Sequence, residues 1–222
     1  EPKAEGAAAL SVPQSGIIDY KEVCNKFAEL IKQMNPKSKI ALNCEVLEIE
    51  DGLLFSTKGK LKVEHTIFCG GLFSDRLAKK DKVKLDMQIV GFRGDYFQLS
   101  NQAKCKVNNL IYPVPNPEFP FLGVHFTKMI GGDIECGPNA VFTFKREGYQ
   151  KTDFSWKDTF EAISFLGTWR LFINHWKFGL NEYRRAFSKA LFLKELKKMI
   201  PTLQMEDITK GRSGVRAMAL GK

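Results

Sequence analysis

The chain has 222 residues, a hydrophobic fraction of 44% and a net charge of +9, from 34 Lys and Arg against 25 Asp and Glu. This length allows one or two globular domains, and no run of 18 apolar residues is present that could span a bilayer. The positive charge is compatible with nucleic acid, an anionic membrane surface or an acidic substrate, and equally with a lysine-rich solvated surface. The five cysteines are scattered and lack a CxxC pair, so we expect small core residues in a reducing compartment and no metal site.

The first predicted element is a helix over residues 19–34. Asp19 can cap its start, and Glu22 follows at the spacing of a capping box. Apolar residues then recur at helical spacing, so the segment should have one apolar face, and Pro36 should end it.

Residues 39–69 are predicted to form a β-meander with strands at 39–50, 53–57 and 61–69. The alternating apolar residues of the first strand and the turn dipeptide Asp51-Gly52 carry this prediction. Gly70-Gly71 and a helical pattern follow. A strand, glycine turn and helix can bring backbone close to a phosphate or nucleotide, although a tight turn without a ligand has the same pattern.

The remaining elements predict an α+β fold. Residues 87–99 should form a bent strand, a second strand should end near Thr127, and residues 156–199 should be helical. The segment "EDITKGRSGVRAMAL" (206–220) should close the chain with a loop and the start of another strand. We therefore expect a mostly antiparallel sheet with a helical layer, together with a β-meander and a strand–turn–helix. Four prolines precede the strand that ends near Thr127: Pro113, Pro115, Pro117 and Pro120.

Residues 154–198 combine eleven aromatic side chains with nine Lys and Arg and four acidic residues. The simplest interpretation is that the aromatics are core and the basic residues form the solvated face. Interleaved aromatic and basic residues also suit a membrane interface. They would suit a single-stranded nucleic acid as well, but we expect no nucleic-acid partner.

Several segments together resemble one family. They are "VPQSGIIDY" (12–20), "FCGGLFSDRLA" (68–78), "FRGDY" (92–96), "NLIYPVPNPEFPFLGVHFT" with "GPNAVFTFKREGY" (109–149), and "SGVRAMAL" (213–220). They are similar to the middle of L-2-hydroxyglutarate oxidases/dehydrogenases, which belong to the D-amino-acid-oxidase-like FAD oxidoreductases.

This resemblance implies a domain organisation and a cofactor. Residues 1–86 would be part of an FAD-binding domain, 87–212 a substrate-binding domain, and 213–222 the start of the return to the FAD-binding domain. The chain has no GxGxxG segment, which holds the FAD pyrophosphate in such enzymes. We therefore expect an interior fragment of a longer enzyme that lacks this segment and a C-terminal FAD-binding segment, and that binds FAD poorly and is inactive by itself.

The resemblance also assigns roles to residues. His125, in an apolar strand, could be a satisfied core residue, but the similarity around "GVHF" favours the base that removes the substrate's hydroxyl proton. Arg216 would hold a substrate carboxylate. Arg93 would contact substrate, or else pair with Asp95. Tyr112 and Lys145 are weaker candidates for substrate contacts, and the residues expected to contact FAD are Val46, Cys69, Gly70 and Gly71.

The expected activity is oxidation of L-2-hydroxyglutarate to 2-oxoglutarate by hydride transfer to FAD. Two alternatives stay open, a related FAD-dependent amino-acid or glycerol-phosphate oxidoreductase and a basic, non-enzymatic module that binds a membrane or nucleic acid. The resemblance implies a small dicarboxylate substrate and a cytoplasmic protein. It is compatible with peripheral contact of 154–198 at the inner face of the cytoplasmic membrane and with electron transfer to quinone.

Overall fold

A computed structural model describes residues 1–50, 52–115 and 123–222. The chain divides into two compact units. The sheet unit contains residues 1–16 and 86–222, and the meander unit contains residues 17–85. The predicted turn residue Asp51 and the prolines Pro117 and Pro120 lie outside the described residues.

The meander unit begins with helix α1 (Tyr20–Met34), which Asp19 caps by accepting a hydrogen bond from the backbone N–H of Lys21. Three antiparallel strands follow, β1 (Val46–Glu50), β2 (Leu53–Ser56) and β3 (Gly59–Lys62). A short 3₁₀ turn over Gly71–Phe73 then leads into helix α2 (Ser74–Lys80).

The meander exists as predicted, but β1 and β3 differ from their predicted bounds by several residues. The first was expected from residue 39 and begins at Val46, because Asn43 has a left-handed φ of 51° that interrupts an extended strand. The third was expected over 61–69 and covers only Gly59–Lys62.

The sheet unit is built on the long strand β4 (Met87–Leu99), which has the predicted bounds. Strand β8 (Ile208–Gly221) pairs with it from Met87–Gly221 to Leu99–Ile208. The strands β5 (His125–Lys128), β6 (Ile134–Gly137) and β7 (Val141–Phe142) complete the sheet in the order β5-β6-β4-β7, with β8 on β4. All pairings between these strands are antiparallel, which confirms the α+β prediction.

Three helices pack on this sheet: α3 (Trp156–Ser164), α4 (Leu166–Phe187) and α5 (Lys189–Leu196). The side chains of Ser155 and Ser188 cap α3 and α5, as hydroxyl side chains commonly do at a helix start. Two buried clusters form the core. One joins α5 to Phe126, Cys136 and Ile208, and the other joins α3 and α4 to Phe92 and Phe142.

Two composition-based expectations need correction. Only Cys136 is a buried core cysteine, whereas Cys24, Cys69 and Cys105 are exposed. Of the eleven aromatic side chains in segment 154–198, only Phe192 is fully buried and six are exposed. They are exposed because α3 and α4 direct only part of their aromatic surface at the sheet. The exposed aromatics are Phe154, Trp156, Phe160, Trp169, Trp176 and Phe187.

Candidate active site

His125 begins strand β5, and its side chain is 7% exposed. Its Nδ1 lies 2.9 Å from the carbonyl oxygen of Gly123. Since a carbonyl oxygen can only accept, Nδ1 carries the proton of the neutral ring and donates a hydrogen bond to the Gly123 carbonyl oxygen. The lone pair therefore lies on Nε2, which is the atom that could accept a proton from a bound molecule.

The environment of His125 favours the neutral ring. Burial lowers the pKa of His125 below its ordinary value of 6.5, while the hydrogen bond to Gly123 acts in the opposite direction. The positive charge of Arg216 lowers the pKa further. The imidazole is therefore neutral at pH 7 and able to act as a base.

Tyr112 holds the His125 ring from one side. The two rings are stacked with centroids 4.2 Å apart and an interplanar angle of 17°. The Tyr112 hydroxyl lies 3.1 Å from Oγ1 of Thr127, two residues along the same strand. The backbone sets this stacking of Tyr112 on His125. Ile111 and Phe126 exchange two backbone hydrogen bonds of 2.9 Å, which place Tyr112 next to His125.

Arg216 lies on β8 opposite Phe92 of β4, and its side chain is exposed. Within the described part of the chain, no carboxylate forms an ion pair with it. Its charge nevertheless acts on His125. A planar guanidinium with free donors can bind a carboxylate through two parallel hydrogen bonds, so this arrangement can hold an acid group beside a neutral base.

Arg93 follows Phe92, the residue opposite Arg216, but its environment differs from that of Arg216. Its side chain is 7% exposed, and Nε lies 2.8 Å from Asp95 Oδ1. A second nitrogen, Nη1, donates to the carbonyl oxygen of Gln150 at 2.8 Å. The ion pair with Asp95, the alternative left open by the sequence, is therefore present.

Lys145 follows β7 in a turn and is exposed. Its backbone carbonyl oxygen accepts hydrogen bonds from Thr143 Oγ1 at 2.7 Å and from the Gly148 N–H at 3.0 Å.

The structure brings together three of the five sequence-predicted catalytic and substrate-contacting residues, namely His125, Tyr112 and Arg216. Gly123 and Thr127 were not predicted, and the only signal for them is their place beside His125.

The comparison with protein families decides the class of the chain. The family model described as "DAO: FAD dependent oxidoreductase" matches residues 1–221. The chain belongs to this family of FAD-dependent oxidoreductases.

Three relatives illustrate the similarity. L-2-hydroxyglutarate dehydrogenase of Indibacter alkaliphilus is 42% identical over 99% of this chain and 56% of its own length. The enzyme of that name from Escherichia coli strain K12 is 39% identical over 99% of this chain and 53% of its own. The mitochondrial one from Bos taurus is 37% identical over 100% of this chain and 51% of its own. The chain thus spans about half the length of the relatives it matches.

A solved structure agrees on the fold. L-alpha-glycerophosphate oxidase from Mycoplasma pneumoniae, with FAD bound, has a TM-score of 0.58 and 21% identity, and the match covers 87% of this chain and 43% of that one. At this identity the likeness concerns the fold alone.

In this member of the family, the residues expected to contact FAD lie in the meander unit. A Cβ on Gly70 would come within 2.5 Å of Leu77 Cδ1, so a larger residue there would require the end of this α2 side chain to shift. Gly71 has a φ of 50°, and a Cβ there would meet nothing within 4 Å, so its backbone is open to close approach. Cys69 is exposed, and Val46 lines a cavity of about 20 Å³, room for about one water.

The structure contains no group of three or more His, Cys, Asp or Glu side chains placed to hold a metal ion among the residues it describes. In the same described ranges, no helix is long and apolar enough to cross a membrane.

Proposed function

We propose that the complete protein containing this chain is an FAD-dependent enzyme that oxidises L-2-hydroxyglutarate to 2-oxoglutarate. The observation that carries the proposal is a buried neutral imidazole, protonated on Nδ1, within the field of an exposed guanidinium without an ion-pair partner among the described residues. The names of the relatives supply the substrate, and the FAD-dependent family supplies the reaction type.

The reaction removes a proton from the hydroxyl oxygen and a hydride from the carbon that bears it. His125 Nε2 accepts the hydroxyl proton, and Gly123 keeps the ring in the tautomer that allows this. Bound FAD supplies the acceptor for the hydride. Stacking by Tyr112 limits the motion of the ring, so that Nε2 stays directed at one point.

Arg216 binds one carboxylate of the substrate and orients the hydroxyl group toward His125. We propose that the second carboxylate is contacted by Lys145, Tyr112 and Arg93. Lys145 has an exposed ammonium group, whereas Arg93 contributes least, because Asp95 and Gln150 already engage its guanidinium.

For the cofactor, we propose that backbone at Cys69, Gly70 and Gly71 contacts FAD, with Val46 contributing through its backbone. The open side of Gly71 fits this role, since a side chain there would occupy the approach. The chain has no GxGxxG segment, so we propose that it binds FAD poorly in the absence of a complete phosphate-binding turn. A purified 222-residue chain with stoichiometric flavin would contradict this part.

The direct test is anaerobic flavin bleaching in the full-length protein, with L- and D-2-hydroxyglutarate added separately. Bleaching by the L isomer alone supports the proposal. Bleaching by an amino acid or glycerol phosphate, without a response to 2-hydroxyglutarate, would favour a related FAD enzyme. A full-length protein without flavin would contradict the proposal and favour a non-enzymatic binding module.

The proposal extends to the partner that removes electrons. We propose a quinone acceptor and a cytoplasmic protein that contacts the inner face of the cytoplasmic membrane through residues 154–198. The exposed aromatic side chains of this segment support it, since Trp and Phe favour a lipid interface. Absence of liposome co-sedimentation of the full-length protein at low salt would contradict the membrane contact.

A further inference from the structure

An apolar pocket of about 450 Å³ lies between helix α4 and the strands of the sheet unit. Its wall includes Phe142 from the sheet and Phe172, Trp176, Gly179 and Tyr183 from α4. The volume falls in the range of small-molecule sites, roughly 300–1,000 Å³. Because the lining is mostly aliphatic and aromatic, the pocket suits an apolar group.

Helix α4, which covers the pocket, is interrupted at a residue of the pocket wall. His175 has φ −126° and ψ 22°, which are not helical values, so α4 consists of two helical parts joined at a kink. Phe172 from the first part and Leu180 from the second both line the pocket, as does His175 itself. The interruption therefore belongs to the pocket wall.

Segment 154–198, which supplies most of the pocket's lining, exposes charges of only one sign. All four acidic residues of segment 154–198 are buried or half-buried: Asp158, Glu161, Glu182 and Glu195. Three of them form ion pairs, Glu182 and Glu195 with Arg185 and Glu161 with Arg146. The exposed charged residues of the segment are all Lys or Arg: Lys157, Arg170, Lys177, Arg184, Lys189, Lys194 and Lys198.

One of these cations lies next to a residue of the pocket wall. Lys177 Nζ is 5.7 Å from the ring centroid of Trp176, which lines the pocket and is 60% exposed. An apolar cavity with an aromatic at its mouth and an ammonium beside it matches a molecule with an apolar chain and an anionic head.

We propose that this pocket accepts an acyl chain of an anionic phospholipid, with Lys177 contacting the headgroup phosphate. The charge of the exposed surface selects this occupant over a second copy of the chain, whose own exposed charges here would also be positive. The proposal goes beyond the enzymatic function, because it concerns a site that none of the proposed catalytic residues lines. It also goes beyond contact with a membrane surface, since it requires one acyl chain of a phospholipid to leave the bilayer and enter the pocket.

Gly179 allows a clean test. It lines the pocket, and a Cβ at this position would meet nothing within 4 Å, so Gly179→Phe would add a ring at the pocket without an immediate clash of its Cβ. Gly131, in the turn between β5 and β6, also has nothing within 4 Å of a Cβ. Gly131→Phe is therefore a matched control that adds the same side chain outside the pocket.

The experiment measures binding of the full-length protein to vesicles of phosphatidylcholine with phosphatidylglycerol, and to vesicles of phosphatidylcholine alone. We expect binding to the anionic vesicles only, weakened by salt. Gly179→Phe should weaken it about tenfold, which corresponds to loss of about two buried methylenes, and Gly131→Phe should leave it unchanged. Lys177→Glu should also weaken binding.

Unchanged or tighter binding by Gly179→Phe would overturn the proposal, since a surface without an occupied pocket gains apolar area from the added ring. Failure of the wild-type protein to bind anionic vesicles would overturn it as well. It would also be overturned if the wild-type protein were a dimer that Gly179→Phe dissociates, because the pocket would then bind a second copy of the chain. Flavin bleaching by L-2-hydroxyglutarate is recorded for the same variants. It should be unaffected, so failure of the lipid site is distinguishable from failure of the enzymatic function.

Discussion

Arg93 and Arg216 lie on neighbouring strands, yet their surroundings differ in almost every respect. Arg93 is buried, paired with Asp95 and bonded to the Gln150 carbonyl. Arg216 is exposed, has no ion-pair partner among the described residues, and acts electrostatically on His125. The charge of Arg93 is thus compensated within the protein. Arg216 and His125 instead offer a cation and a neutral base to a ligand.

The comparison teaches that residue type alone does not identify a binding arginine. Desolvating a guanidinium is costly unless partners are present, so a buried arginine stabilises its surroundings only with them. An unpaired exposed arginine can give its hydrogen bonds to a ligand. We therefore expect changes at the two arginines to separate into effects on stability and effects on substrate binding.

The largest effect is expected at His125, on which the catalytic role of the Arg216 region depends. His125→Asn removes the proton acceptor and should lower kcat by about 10²–10⁴-fold in the full-length enzyme. Steady-state turnover with L-2-hydroxyglutarate checks this, with His65→Asn in the meander unit as the control. Turnover close to wild type in His125→Asn would remove the role of base.

The next effect concerns stability at Arg93. Arg93→Met leaves the Asp95 carboxylate without its partner and should cost about 3–5 kcal/mol of unfolding free energy, as breaking a buried ion pair typically does. Urea denaturation of the full-length protein measures it. Arg216→Met, the matched control, should change stability by about 0.5 kcal/mol or less, as at most surface sites. Equal losses at both arginines would end the distinction between them.

Arg216 should instead control affinity for the dicarboxylate. Arg216→Gln loses charge-assisted hydrogen bonds, each worth about 1.5–3 kcal/mol, and should raise KM about 10-fold or more. Arg216→Lys keeps the charge without the fork and should recover part of the affinity. Steady-state kinetics with L-2-hydroxyglutarate would show an unchanged KM for Arg216→Gln if the residue does not contact substrate.

The smallest effect is expected at Thr127. Thr127→Val removes the hydroxyl that holds the Tyr112 hydroxyl and should cost about 0.5–1.5 kcal/mol of stability. Tyr112→Phe removes the other half of the same hydrogen bond, so the double variant should lose less than the sum of the two. Additive losses in urea denaturation would show that the hydrogen bond contributes nothing in solution.

Local patterns in the sequence predicted the regular elements well. Helix α1 and strand β4 were predicted within one residue because spacing and capping are local properties. The limits of β1 and β3 were wrong. For β1 the reason is that the alternation of apolar residues crosses Asn43, where the left-handed backbone interrupts an extended strand. The kink at His175 was not predicted either, because the sequence around it has neither proline nor an obvious break.

The candidate site was predicted only in part, for a physical reason. The sequence suggested His125 and Arg216 through family resemblance, but not the electrostatic effect of Arg216 on the pKa of His125, which depends on the register of the five-stranded sheet. Whether Arg93 is free depends on Gln150, 57 residues away, and on how deeply the strand is buried. The support of His125 by Tyr112 and Thr127 likewise arises from a pairing between separate segments.

The central claim is that His125 is a neutral base whose pKa Arg216 helps to lower. The most direct measurement is the pH dependence of kcat/KM for L-2-hydroxyglutarate in the full-length enzyme and in Arg216→Gln, since this parameter reports the ionisation of the free enzyme. Because only the neutral ring accepts a proton, the wild-type value should fall with decreasing pH, with a midpoint below 6.5. In Arg216→Gln this midpoint should move upward. A profile without an acidic limb, or a limb that does not move, would contradict the account.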